Sequence, residues 1–167
     1  MASYQEQIER AKRSYDRLQE INDGRKHDRS TEFSRDDLYG FFQNCYHVKD
    51  WILSDSSLPI ADKKKVVEQF VNESRPLSVC ADLCNATKHM ELRDPPRSDQ
   101  HPKFTAAHYG YAAPAGTITV NYEISTRAGK LDAFDLAGQC LAEWDRFFRL
   151  TPSDWAELGK RYKRKGK

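Results

Sequence analysis

The chain has 167 residues, enough for one domain with one sizeable core, and its 38% hydrophobic and 31% charged composition is polar for a globular protein. Eight Phe, eight Tyr and three Trp fall in periodic positions, which a disordered chain does not show, and no apolar run approaches the roughly 20 residues of a membrane helix. Net charge is +2, but the last ten residues hold six basic and no acidic side chains, leaving 21 basic against 25 acidic residues in the body. The body is therefore not an obvious polyanion binder, and any such contact falls to a local patch or to the tail. The charged, amphipathic start is not a signal peptide, so the expected location is the cytoplasm.

In chain order, Ser3 and Glu6 read as a capping box opening a helix to about Asn22, stopped at Gly24. Its apolar stripe is Tyr4, Ile8, Ala11, Tyr15, Leu18 and Ile21. A polar loop follows over 23–33. Ser34 is the expected cap of a second helix, with Asp36 and Asp37 in its first turn and Leu38, Phe41, Phe42, Cys45, Val48 and Ile52 on its core face. Asn44, His47 and Trp51 form a second line beside that face, and Asp50 comes one turn after His47. A third helix over about 61–73 starts with three lysines, Lys63 to Lys65, where basic charge opposes the helix dipole.

The fourth helix, 75–93, has Pro76 in its first turn and ends before Asp94-Pro95-Pro96. Small and apolar residues dominate it, yet Ser78, Asp82, Asn85 and His89 share one line. Residues 94–103 read as a loop without pattern. Residues 105–111 and 117–125 alternate as strands around Ala113-Pro114-Ala115-Gly116, and a short return strand passes through Lys130 and Leu131. Asp132 caps the most hydrophobic helix, and Thr151-Pro152-Ser153-Asp154 starts a short last one.

The expected fold is mainly α: a four- to five-helix bundle with a small antiparallel β-hairpin or meander inserted before the last long helix. Residues 1–159 form the helical-bundle domain, with the β insertion at about 105–131, and 160–167 a flexible basic tail. The four cysteines lack C-x-x-C or Cys/His spacing, so buried reduced thiols are expected and no metal site. No phosphate loop, dinucleotide fingerprint or nucleophile elbow is present, and no cofactor is expected.

If the second and fourth helices are neighbours, Asn44, His47 and Asp50 can meet Asp82, Asn85 and His89. Such a set suits a buried network fixing helix register, an acid–base site using His89 or His47, or, on unfamiliar spacing, a metal.

The segments FFQNCYHVKDWI and LSVCADLCNATKHMEL, followed by the hairpin and DAFDLAGQCLAEWDRFF, resemble a set of small bacterial helical proteins akin to the HEPN superfamily. The resemblance spans about residues 34–150. It implies a bundle of four or five helices, often a homodimer, whose active members are metal-independent ribonucleases of toxin–antitoxin and antiviral systems. Their motif is an Arg followed, about four to six residues later, by a His. On that scheme His89 is the catalytic histidine, with Asn85 near the place of the Arg. Asp82, Asn44, His47 and Asp50 assist, and Lys88, Lys160, Arg161, Lys163, Arg164 and Lys165 hold RNA. The chain departs from the motif: only Arg75 precedes His89 in its helix, and Arg97 and His101, with just three residues between them, lie in a loop. Two functions follow as expectations. One is an RNA-cleaving or RNA-binding effector with RNA as partner. The other is a non-catalytic helical module that binds a partner protein or a second copy, its polar line being a structural network. No membrane partner is expected.

Overall fold

The computed structural model describes residues 3–26, 30–88, 96–112 and 115–162. It is mainly helical with a small antiparallel sheet: α1 (Tyr4–Asp23), β1 (Arg25–Lys26), α2 (Thr31–Ser54), α3 (Lys63–Glu73), α4 (Arg75–Lys88), β2 (Lys103–Ala112), β3 (Thr117–Thr126), β4 (Gly129–Asp132), α5 (Ala133–Phe148) and α6 (Pro152–Arg161).

Two starts differ from the sequence expectation. The α2 helix begins a turn early because Ser30, not Ser34, accepts the Glu32 N–H at 3.2 Å; Ser34 is buried inside the helix, and Glu32 is the acid of the first turn. The loop after α1 is partly a strand. Gly24, at φ 108°, turns the chain so that Arg25 and Lys26 pair with Ile118 and Thr117 of β3. The expected Ser3/Glu6 box does not form either: Ser3 accepts the Gln5 N–H at 3.3 Å, and the Glu6 carboxylate turns to Arg10. The caps of α5 and α6 form as expected. Asp132 accepts from the N–H groups of Phe134 and Asp135, and Thr151 and Asp154 form a reciprocal capping box behind Pro152. The Lys63 ammonium, unfavourable at a helix start, has an outlet: it donates to the Asp55 carbonyl.

The sheet runs β1-β3-β2, with β4 pairing to β3 beside β1. Alternation along β3 buries Val120, Tyr122 and Ile124 under the helices. One hydrophobic cluster takes residues from α1 through α6 and from β3. Its centre is aromatic: Phe41, Phe42, Phe70, Trp144 and Phe147 are all 1% exposed or less. Phe147 meets Phe70 edge-on at 5.0 Å, and the Trp144 indole N–H donates to the Cys45 carbonyl at 3.0 Å. That bond ties α5 to α2. At the other end Asp55, the residue closing α2, takes the Tyr4 N–H at 3.0 Å and so satisfies an orphan donor of α1.

Two consequences are measurable. Trp144→Ala removes the largest core side chain and should cost about 3–5 kcal/mol in denaturant unfolding. Asp55 is held down at about 2, chiefly by the Ser57 hydroxyl and then by the Tyr4 and Ser57 N–H groups. Its folded value lies below its unfolded one, so its stabilisation is present above pH 3.8 and is lost as pH falls towards about 2. Asp55→Asn should flatten the acid limb of stability against pH in that window; an unchanged limb would show that the clamp carries no weight.

Candidate functional site

Helix α4 fixes what the polar line can do. From Leu77 to Cys84 every residue is buried, so Ser78 and Asp82 must find partners inside the protein. Ser78 donates back to the Arg75 carbonyl at 3.0 Å. Asp82, 1% exposed, turns to the segment after α4: its carboxylate accepts the Arg97 N–H at 2.7 Å, the Ser98 N–H at 2.8 Å and the Ser98 hydroxyl. Three donors occupy both oxygens. Asp82 thus holds the 96–100 turn, and both of its oxygens are engaged in that task.

Helices α2 and α4 do pack together. The described members of the two polar lines nevertheless bond elsewhere. Asn44 faces α1, donating to Ser14 at 3.1 Å while its side-chain and backbone oxygens accept from the buried Gln7 amide at 3.3 and 2.8 Å. His47 and Asp50 are exposed, and Asp50 lies 3.8 Å from the Lys49 ammonium. Asn85 is half-buried on the last described turn of α4, and Lys88 is the final residue of that helix. His89 falls outside the described residues, as do Lys163, Arg164 and Lys165. Of the basic end, Lys160 is exposed 3.6 Å from Glu157, and Arg161 forks onto Glu73 at 3.0 and 2.9 Å, fastening α6 to α3. That fork holds the Glu73 carboxyl below its ordinary range.

A second polar cluster joins this site and has no signature in the sequence. Glu68 of α3 accepts from Lys49 of α2 at 2.9 Å and from Arg97 at 2.8 Å, and Arg97 also reaches Asn72 at 3.1 Å. All three charged groups are 20% exposed or less. Burial pushes Glu68 up, but the Lys49 hydrogen bond and the Arg97 charge outweigh it and leave its carboxyl below the usual value. For Lys49 burial works downward, and Tyr46 and Glu68 more than offset it. Lys49 and Arg97 balance Glu68 and Asp82, so the cluster is close to neutral and each charge has a partner. Such an arrangement clamps α2, α3, α4 and the 96–100 turn; it holds no idle base and no unpaired cation. Lys49 and Arg97 lie 19 and 29 residues from Glu68, and the one readable hint was the Asp82 carboxylate on an otherwise apolar helix.

Metal-ligating potential lies in the core. The sulfurs of Cys45, Cys80 and Cys140 all lie within 4.8 Å of one another, on α2, α4 and α5, and are 0% exposed.

Removing the Asp82 carboxylate strands the donors it serves. Asp82→Ala should cost about 1.5–3 kcal/mol, because the hydrogen bonds lost are to a charged group. Amide exchange at Arg97 and Ser98 should accelerate together with that loss; full protection of both would mean that the turn is held by something else. Compared with known proteins, the chain matches no protein-family model, no curated protein and no solved structure.

Proposed function

We propose that this chain is a non-catalytic helical module that binds protein, and that it pairs with a second copy of itself along β2. The observation that carries the reading is the edge of the sheet. The ten residues of β2 bond to β3 on one side, and among the described residues nothing pairs with the other side. The part beyond the bulge at Phe104/Ala106, AHYGYA over 107–112, contains no Lys, Arg, Asp, Glu or Pro to blunt it. Tyr109 and Tyr111 pair with Val120 and Ile118, so they lie on the core side of the sheet. They overhang the helices, 60% and 68% exposed. Between them Gly110 gives room to the Thr119 hydroxyl, which occupies the space of a side-chain Cβ. An antiparallel strand pairing with its own copy about a two-fold axis is the simplest closed use of such an edge. The engaged Asp82, Asn44, Lys49 and Glu68 support the same reading, since they fit a structural network rather than an acid–base site. A homodimer is also what the HEPN resemblance implies.

The ribonuclease reading rests on His89 and is tested beside it. In sedimentation equilibrium the protein should dimerise, and Tyr109→Lys with Tyr111→Lys should weaken dimerisation by about tenfold or more, with the thermal melt little changed. Incubation with total RNA in EDTA should give the same background for the wild type and His89→Ala. A monomer at all concentrations, or cleavage that depends on His89, would overturn the proposal.

A further inference from the structure

The cysteine cluster asks for an explanation that packing alone does not give. Three helices far apart in sequence each deliver one thiol to the same point, and none of the thiols is oxidised. The fourth cysteine, Cys84, is a turn beyond Cys80 and not part of the cluster. Around the three sulfurs the surroundings are apolar with backbone oxygens at the margin. Cys80 donates to the Phe42 carbonyl at 3.5 Å and Cys140 to the Pro76 carbonyl at 3.4 Å. Trp144 closes one side, its N–H committed to the Cys45 carbonyl.

From this geometry we infer that Cys45, Cys80 and Cys140 form a three-sulfur site for a trivalent, thiophilic metalloid of the arsenite class. Trivalent arsenic keeps a lone pair, so its three sulfurs form a pyramid and, at bonds of about 2.3 Å, sit roughly 3.4 Å apart; the present spacing, within 4.8 Å, closes by about 1.4 Å at most. Charge decides between candidate ions. Three thiolates around Cu(I) carry a charge of −2, and around a divalent ion −1. Neither is compensated in a fully buried, apolar site. Three thiolates around As(III) are neutral. In the binding step, As(OH)3 and three thiols give As(SR)3 and three waters. Three As–S bonds form, three As–O bonds break, and each thiol proton leaves on a hydroxide. Arsenic remains trivalent, and no oxidant or reductant takes part. The sulfurs are closed to solvent, so entry waits on local opening between α2, α4 and α5.

The test uses the full-length, reduced protein under nitrogen with sodium arsenite. After desalting, arsenic should remain at about one per chain, and thiol labelling at Cys45, Cys80 and Cys140 should be several-fold slower than in the arsenite-free protein, with Cys84 unchanged. Cys45→Ser, Cys80→Ser and Cys140→Ser should each reduce arsenic retention at least about tenfold, and Cys84→Ser should leave it unchanged. Unfolding in urea should release the arsenic, since the unfolded chain no longer gathers the sulfurs. Cu(I) at equal concentration should not displace it. Labelling rates equal to those of the arsenite-free protein overturn the proposal. Equal retention by the unfolded chain, loss on Cys84→Ser, or displacement by Cu(I) does so too. The thiol labelling of the wild type needs no variant, so a substitution that unfolds the protein leaves the test standing.

Discussion

A carboxylate sits in the most deeply buried helix of this protein, and much of the surrounding structure is arranged to satisfy it. Eight consecutive residues of α4 are closed to solvent, and Asp82 is one of them. An ionised carboxylate in such a place survives only with donors on its oxygens. The 96–100 turn supplies them, and in meeting that need it brings Arg97 onto Glu68, which in turn holds Lys49. One buried charge thus recruits a turn, and the turn links three helices. Apolar side chains would fill the same volume with comparable stability, and the gain from the charged version is specificity: only one placement of the turn satisfies every group.

The same logic separates what the chain made readable from what it hid. Helical periodicity located the apolar faces of α1, α2 and α5, because burial on one side imprints itself at every third or fourth residue. Caps at Asp132 and Thr151 were readable because they are local: the donor and acceptor lie within three residues. The Ser30 cap was hidden by a second serine, Ser34, that suits the part equally well by composition. The two-residue strand β1 was hidden because its partner is about ninety residues away, in β3.

The candidate site was legible in residue type but not in direction. Asp82 and Asn44 stood out as polar groups on apolar faces, and both are indeed held by partners inside the protein. Their spacing suggested that they look toward each other. Each helix has more than one neighbour, however, and a periodic line does not say which neighbour it meets: Asn44 turns to Gln7 and Ser14 of α1, and Asp82 to Arg97 and Ser98. Glu68 and Lys49 had no such mark, since a charged residue on a helix flank is ordinary until its partner arrives from elsewhere in the chain. The three clustered cysteines show the same blindness: no spacing connects 45, 80 and 140.

The bond from Trp144 to the Cys45 carbonyl spans ninety-nine residues, and it bears on how the chain is made. Synthesis proceeds from the N-terminus, so α1 to α4 emerge with Phe41, Phe42 and Phe70 ready to pack before α5 exists to cover them. Until Trp144 and Phe147 arrive, the nascent chain carries an uncovered aromatic surface. Translation pauses ahead of α5 should therefore lower the yield of native protein more than pauses after it.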